Sequence, residues 1–316
     1  MANKKYCIGI DLGGTFIKGG IVDLEGNLII NDKVPTESAK GSLSVAKNLA
    51  ALAESLIARL GITKDEVLGI GMGVPGMIDS KRGLVVYSNN LEWENFYIAK
   101  EIEALTSLPT KIANDANVAA LGEARFGCGK DYTTTVLLTL GTGVGGGLVL
   151  DGKLFEGNQS AGAELGHTVI VAGGERCTCG RLGCLEAYAS ATALIRDTKR
   201  AMESNKESKM WEIGSLDNVT GKTAFDYAGS DESARRVIDN YIAMLGTGIA
   251  NIANLLRPEA IILGGGVCAQ GDNLLIPLRK HLDREIFAGT MGPEVKLLIA
   301  TLGNTAGILG AAALLI

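Results

Sequence analysis

The feature that most constrains this chain is a short segment rich in metal-binding side chains. Three of the six cysteines and one of the two histidines lie between residues 167 and 184. They are His167, Cys177, Cys179 and Cys184. Thiolate sulfur and imidazole nitrogen suit Zn²⁺, which binds four such ligands in a tetrahedron and then has no position for an activated water. We therefore predict a structural zinc ion. Because the spacing C-x-C-x4-C is less specific than a doubled C-x-x-C, a redox-active cysteine pair is the alternative.

The composition is that of a globular protein large enough for two domains. Of the 316 residues, 47% are hydrophobic and 21% are charged. A chain of this length exceeds what one hydrophobic core comfortably holds. The net charge of −5 argues against nucleic acid or an anionic membrane as a partner.

Neither end of the chain indicates a secretory or membrane segment. Residues 1–6 lack the apolar region of a signal peptide. The apolar stretch at residues 306–316 is too short to span a bilayer. Cysteines such as Cys7, Cys128 and Cys268 fit a reducing compartment. We therefore expect a cytoplasmic protein.

One pattern of strands and glycine turns occurs twice. Strands are first predicted at residues 6–11, 17–24 and 28–34. They are predicted again at residues 135–140, 148–150 and 153–155. A glycine turn follows the first strand of each set, and the second of these turns covers residues 141–147. Two β-meanders of one design predict two related halves of the molecule.

The other elements alternate between helix and strand. Helices are predicted at residues 42–60, 98–105, 116–125, 185–202 and 231–256, with a last helix from residue 305. Strands are predicted at residues 67–74, 110–113, 259–263 and 295–300. Gly61 is the predicted C-cap of the first helix. Because no low-complexity linker is visible, the joint between the domains is expected to be a hinge near residues 113–133.

Three glycine clusters that follow predicted strands are candidates for phosphate binding, since glycine lets backbone N–H groups approach phosphate oxygens. They come after Asp11, Leu140 and Leu263. The second matches the dinucleotide fingerprint G-x-G-x-x-G, but a strand is predicted where that fingerprint needs a helix, and no Walker A motif occurs. A Mg²⁺ held by Asp11 through water would allow phosphate near this carboxylate, and Lys18 would add positive charge. We predict a nucleotide site, with simple tight turns as the alternative.

These motifs together resemble those of a known family. Residues 11–15, 140–143 and 264–266 resemble the phosphate-1, phosphate-2 and adenosine motifs of the actin–hexokinase superfamily. Residues 164–167 and 177–186 resemble the signature of the ROK family of bacterial sugar kinases and repressors. The resemblance covers essentially the whole chain. It implies an α/β, two-lobed actin-like ATPase fold, ribonuclease H-like in each lobe, with ATP and sugar in the interlobe cleft. We expect residues 1–113, completed by the C-terminal helix at 304–316, to form the smaller lobe and residues 114–303 the larger.

The resemblance also implies roles for individual residues. Asp115 corresponds to the catalytic base, although an Asp at this point could instead cap the following helix. The sugar-binding positions are Gly76, Asn90, Asn114, Asp115, Glu164, His167 and Glu186. The nucleotide-binding positions are Asp11, Gly13, Gly14, Thr15, Lys18, Gly141, Thr142, Gly143, Gly264, Gly265 and Gly266. The zinc ligands of the family match the four residues named above, so His167 would serve both metal and sugar through its two ring nitrogens.

The predicted function is ATP-dependent phosphorylation of a hexose. Two carboxylates and an imidazole suit a neutral polyol, because they hydrogen-bond to several hydroxyl groups. Glucose is the expected substrate, as in bacterial glucokinases; the alternatives are N-acetylmannosamine, N-acetylglucosamine, fructose and allose. A sugar-sensing repressor of the same family would carry a helix-turn-helix before the first phosphate motif. With ten residues before Asp11, we do not expect that function. We expect a homodimer, as is frequent in the family.

Overall fold

The structure, a computed structural model, describes residues 4–316; residues 1–3 of the N-terminal segment used above lie outside the described residues. The first strands are β1 (Tyr6–Leu12), β2 (Phe16–Asp23), β3 (Leu28–Pro35), β4 (Val67–Val74), β5 (Met77–Asp79), β6 (Leu84–Ser88), β7 (Trp93–Phe96) and β8 (Thr110–Asn114). The later strands are β9 (Thr135–Leu140), β10 (Val144–Leu150), β11 (Lys153–Phe155), β12 (Ala260–Gly264) and β13 (Lys296–Ile299). The helices are α1 (Ser42–Leu60), α2 (Ile98–Thr106), α3 (Asp115–Phe126), α4 (Glu186–Ala189), α5 (Ala191–Ser204), α6 (Thr223–Tyr227), α7 (Glu232–Leu256), α8 (Asp272–Glu285) and α9 (Ala306–Ala313).

Two five-stranded sheets share one strand order. The first has the order β3-β2-β1-β4-β8 and the second β11-β10-β9-β12-β13, so each begins with a meander and continues with two later strands. In the first sheet, β1 pairs antiparallel with β2 and parallel with β4, and β4 pairs parallel with β8. This shared order confirms the predicted repetition of one design within the chain.

The chain divides into two compact units. The first contains the residues up to Thr135, Gly147–Ala163 and Thr301–Ile316, and the second contains Val136–Gly146 and Glu164–Ala300. The lobes predicted from the sequence, residues 1–113 with 304–316 and residues 114–303, have other bounds and stay a prediction. The first unit also holds a three-stranded sheet of β5, β6 and β7, which the sequence did not predict.

The C-terminal helix α9 packs directly against the backbone of the first sheet. A Cβ atom at Gly9 of β1 would lie 2.0 Å from the carbonyl oxygen of Ile308. A Cβ atom at Gly71 of β4 would lie 1.8 Å from the carbonyl oxygen of Ala311. Only glycine permits this approach, since a side chain at either position would need the space that the helix backbone occupies. The two glycines therefore allow α9 to pack closely against the centre of the sheet.

Two predicted elements have different bounds in the structure, and one helix was not predicted. Strand β10 begins at Val144, so Gly145 to Gly147 lie in a strand and not in the predicted turn. A Cβ atom at Gly146 would lie 2.9 Å from the carbonyl oxygen of Leu137, which shows that close packing requires this glycine. The helix predicted at residues 185–202 is broken at Ser190, whose extended backbone separates α4 from α5. Helix α6 (Thr223–Tyr227) was not predicted from the sequence.

Within residues 4–316, every helix is too short or too polar to cross a lipid bilayer.

Candidate active site

In the first unit, three of the predicted site residues, Asp11, Asn114 and Asp115, lie at the carboxyl ends of neighbouring parallel strands. Asp11 of β1 lies opposite Gly73 of β4, and Gly73 lies opposite Ala113 of β8. Asn114 and Asp115 follow Ala113 directly, at the junction of β8 with α3. In open α/β sheets, ligands bind outside the carboxyl ends of the strands. The strand register therefore places Asp11 and Asp115 at the edge where such a fold forms its site.

Asp115 lies in the first turn of α3 and does not cap the helix. Asn114 is the N-cap, because its side-chain oxygen accepts hydrogen bonds from the backbone N–H groups of Ala116 (2.9 Å) and Asn117 (3.3 Å). One oxygen of Asp115 also accepts from the N–H group of Ala116, at 2.9 Å. The side chain of Asp115 remains accessible to solvent. The capping role considered for Asp115 thus belongs to Asn114.

The surroundings of Asp115 favour the protonated acid more than water does. Packed protein around the carboxyl desolvates it and raises its pKa above the ordinary value of 3.8, and the negative charge of Asp11 raises it further. The hydrogen bond from the backbone of Ala116 acts in the opposite direction. A carboxylate whose pKa is raised is a stronger base, as general-base catalysis requires.

Gly76 and Asn90 lie beside these residues in the first unit. The side-chain N–H₂ group of Asn114 donates to the carbonyl oxygen of Gly76 at 3.1 Å. Gly76 has a φ of 114°, and a Cβ atom there would lie 2.3 Å from the carbonyl oxygen of Tyr87, so no other residue fits. A Cβ atom at Gly14 would lie 3.3 Å from the carbonyl oxygen of Asn90. Asn90 is therefore next to the turn between β1 and β2.

That turn contains the predicted nucleotide-binding residues Gly13, Gly14 and Thr15, and the other two of the first unit flank it, Asp11 in β1 and Lys18 in β2. The ammonium group of Lys18 lies 3.2 Å from a carboxylate oxygen of Asp11. Thr36, which the sequence reading missed, fixes the turn because its hydroxyl donates to the carbonyl oxygen of Gly13 at 2.6 Å. No signal in the sequence marked Thr36, since it contacts the turn from a position beyond β3.

In the second unit, the other two glycine clusters share one edge of the second sheet. Gly265 has a φ of 92°, and a Cβ atom there would lie 2.4 Å from the carbonyl oxygen of Leu140, the last residue of β9. The predicted residues Gly264, Gly265 and Gly266 therefore adjoin the turn that contains Gly141, Thr142 and Gly143. The start of α5 holds this turn: the Ala191 N–H group donates to Gly141 and the Thr192 hydroxyl donates to Thr142, each to a carbonyl oxygen at 2.8 Å.

The four predicted metal ligands lie together in the second unit. One ligand atom from each of them lies within 4.8 Å of all the others. The Nδ1 atom of His167 is 3.6 Å from the Sγ atom of Cys177, and the Sγ atoms of Cys179 and Cys184 are 3.7 Å apart. Burial raises the pKa of the Cys177 and Cys184 thiols, so a cation is needed to hold them as thiolates at neutral pH.

Glu186 begins α4 and lies between the cysteine segment and the turn after β9. One of its carboxylate oxygens accepts from the Thr178 hydroxyl at 2.8 Å, and the other accepts from the Val144 N–H group at 3.1 Å. A Cβ atom at Gly143 would lie 2.3 Å from the second oxygen, so this glycine is required for the contact. Glu164, at the other end of the segment, is exposed next to the short helix Leu165–His167.

The protein has two sheets of the same topology, and each carries glycine turns at one edge. This arrangement defines a two-lobed α/β protein of the actin-like ATPase class. Residues 7–316 match the ROK family. The glucokinase of Halalkalibacterium halodurans is 38% identical over 98% of this chain and 94% of its own length. The chain belongs to the ROK family.

Two further proteins illustrate the range of this family. A crystal structure of a ROK family glucokinase from Streptomyces griseus, in complex with glucose and AMPPNP, is 35% identical with a TM-score of 0.78, and the match covers 98% of both chains. The xylose repressor of Caldicellulosiruptor bescii is 30% identical, over 98% of this chain and 77% of the repressor. The family therefore includes both enzymes and regulators that resemble this chain over almost all its residues.

Proposed function

We propose that this protein is an ATP-dependent glucokinase, which transfers the γ-phosphate of ATP to a hydroxyl group of glucose to give glucose 6-phosphate. The similarity to glucokinases over almost the whole chain carries this proposal, in particular the similarity to an enzyme that binds glucose and an ATP analogue. Two further observations support this proposal: the two sheets of one strand order, with glycine turns at their edges, and the raised pKa of Asp115.

Asp115 is the proposed general base. Its carboxylate accepts the proton of the sugar hydroxyl while the hydroxyl oxygen attacks the γ-phosphorus and ADP leaves. Packing and the charge of Asp11 raise the pKa of Asp115, which increases its basicity at the moment of attack. Mg²⁺ bound with the nucleotide would neutralise charge on the phosphates, with Asp11 as the residue that holds it through water.

The proposed sugar-binding residues are those that the family resemblance implies. In the first unit these residues are Gly76, Asn90, Asn114 and Asp115, and in the second they are Glu164, His167 and Glu186. The Nδ1 atom of His167 faces the cysteine cluster, so Nε2 is the nitrogen left for a sugar hydroxyl. The proposed nucleotide contacts are the residues of the three glycine turns described above, together with Asp11 and Lys18.

The cysteine cluster is proposed to hold a structural Zn²⁺. In a tetrahedron with Zn–S bonds of about 2.3 Å, neighbouring sulfurs lie about 3.8 Å apart. The Cys179–Cys184 distance of 3.7 Å fits this value and exceeds an S–S bond of about 2.05 Å. The gathering of four ligand atoms within 4.8 Å of one another favours the metal over the redox-active pair, which needs only two sulfurs. The ion would stabilise a segment with little apolar surface, and it would fix the ring of His167.

Release of ADP across a panel of sugars tests the function. The proposal expects the highest kcat/KM with glucose, and lower values with N-acetylmannosamine, N-acetylglucosamine, fructose, allose and mannose. A higher value for another hexose would reassign the substrate within the kinase class. Absence of turnover with every sugar, together with glucose binding, would instead favour the sugar-sensing regulator. Homodimer formation and a cytoplasmic location stay predictions, for which light scattering and cell fractionation are the measurements.

A further inference from the structure

Both oxygens of the Glu186 carboxylate accept hydrogen bonds within the second unit, from two different segments. The Thr178 hydroxyl, between two of the proposed zinc ligands, donates to Oε1 at 2.8 Å. The Val144 N–H group, at the start of β10, donates to Oε2 at 3.1 Å. A carboxylate held at both oxygens has a defined orientation, because rotation about its last bond breaks both hydrogen bonds.

A third group, the Cys177 thiol, can donate a hydrogen bond to Oε1 of Glu186, but only when no metal is bound. The Sγ atom of Cys177 lies 3.4 Å from Oε1 of Glu186 and donates there as a thiol. Metal ligation requires the thiolate, which has no proton to donate. When zinc occupies the proposed site, Cys177 therefore no longer donates to Oε1 of Glu186. The Thr178 hydroxyl still donates to it.

We infer that Thr178 is a positioning residue: its hydroxyl orients the carboxylate of Glu186, and Glu186 in turn binds glucose. This inference rests on the proposed function, in which Glu186 accepts hydrogen bonds from sugar hydroxyls. The Thr178 hydroxyl lies 2.8 Å from Oε1 of Glu186 and 4.0 Å from the Sγ atom of Cys177, so the carboxylate is its principal hydrogen-bond acceptor. Its effect is to keep Oε1 oriented, so that the carboxylate presents its remaining lone pairs to the sugar in one geometry.

The test compares three variants in steady-state kinetics. Thr178→Val removes the hydroxyl and keeps the shape of the side chain, while Thr178→Ser keeps the hydroxyl. Thr247→Val is the matched control, because it removes a threonine hydroxyl that donates within its own helix, to the carbonyl oxygen of Ala243. Each protein is also analysed for zinc content and for its thermal unfolding midpoint.

The glucose KM of Thr178→Val is expected to rise about 3- to 10-fold, as for loss of one hydrogen bond to a charged group at a solvent-accessible site. Thr178→Ser should stay within about twofold of the unmodified protein. Thr247→Val should leave the KM for glucose unchanged, because its hydroxyl donates to Ala243 within α7. Zinc content and the unfolding midpoint of Thr178→Val should match those of the unmodified protein.

An unchanged glucose KM in Thr178→Val overturns the inference. So does a raised KM that is accompanied by loss of zinc, because Thr178 would then act through the metal segment and not through Glu186. The unmodified protein is measured in the same assay; if it does not phosphorylate glucose, the proposed function itself is wrong, and the inference about Thr178 falls with it.

Discussion

The Nδ1 atom of His167 lies 3.6 Å from the Sγ atom of Cys177, so one of the two ring nitrogens faces the cysteine cluster. Metal analysis of the purified, reduced protein is therefore expected to find one zinc per chain. Cys184→Ser should lose the metal, and its unfolding midpoint should fall, because ion binding to such a site contributes roughly 10 kcal/mol. Its glucose KM should rise as well, since His167 loses its orientation.

Cys128→Ser is the control for this experiment. Cys128 lies outside the cluster and donates to Glu123 through its thiol, and a serine hydroxyl can do the same. The control should keep its zinc and its kinetics. Zinc-free protein that phosphorylates glucose normally would disprove the proposed role of the cluster.

The position of Asp115 at the end of β8 predicts a separation of binding from turnover. Asp115→Asn keeps a side chain of the same size but cannot accept the proton of the sugar hydroxyl. We expect kcat to fall about 10²- to 10⁴-fold, the usual contribution of a general base. Glucose binding, measured by calorimetry, should change little. A kcat near that of the unmodified protein would leave Asp115 with a structural role.

The raised pKa of Asp115 predicts the pH dependence of the reaction. A general base must be ionised, so kcat/KM should fall as the pH drops through the pKa of this group. Because partial desolvation by the surrounding protein and the charge of Asp11 raise that pKa, the fall should be centred above the ordinary aspartate value of 3.8. Rate profiles between pH 4 and pH 8, with recovery of activity after return to neutral pH, are the measurement. A profile that stays level down to the ordinary value contradicts the assignment.

Glu156 predicts a pH dependence of stability. It follows β11, one of its oxygens accepts from the Ser80 hydroxyl at 2.7 Å, and its other oxygen is buried without a hydrogen-bond partner among the described residues. Burial raises its pKa above the ordinary 4.5. The folded protein therefore binds this proton more tightly than the unfolded chain, and stability is lost as the pH rises from 4.5 through the raised pKa.

Glu156→Gln should remove this loss, because glutamine is uncharged and its oxygen can still accept from Ser80. Urea unfolding at pH 4.5 and pH 7.5 should show that the variant gains stability relative to the unmodified protein at the higher pH. An equal difference at both values would mean that ionisation of Glu156 does not affect stability.

The contact between Gly71 and α9 predicts a large effect of one methyl group. Gly71→Ala places a Cβ atom 1.8 Å from the carbonyl oxygen of Ala311, and overpacking of this kind lowers the free energy of unfolding by about 1–3 kcal/mol or more. Gly229→Ala is the matched control, since a Cβ atom there meets no atom within 4 Å. Urea unfolding of both variants is the measurement. Similar stabilities for the two would contradict the packing described here.

Local sequence patterns predicted several elements closely. The apolar spacing in residues 42–60 and the glycine that follows predicted α1 and its end, and Gly61 has the expected left-handed backbone with a φ of 72°. The apolar run at residues 67–74 predicted β4. The cysteine spacing also predicted which four side chains would come together. In each case the cause lies within a few residues along the chain, so the sequence contains it.

Contacts between distant residues decided the rest. The glycine run after β9 was predicted as a turn, yet Gly146 lies in β10. This position requires glycine because a Cβ atom there would be too close to the carbonyl oxygen of Leu137. The side-chain N–H₂ group of Asn114 donates to the carbonyl oxygen of Gly76, which lies on another part of the chain. Neither contact can be read from neighbouring residues.

The sequence by itself determined the repeated meander, the main helices and strands, the four side chains of the cysteine cluster and the family to which these motifs belong. Tertiary structure alone decided that Asp11 and Asp115 reach the same sheet edge, and that Thr178 and Val144 hold the two oxygens of Glu186. The physical reason is one of range. Helix spacing, turn chemistry and ligand spacing depend on nearby residues, whereas strand register and hydrogen bonds across the fold exist only once the chain has packed.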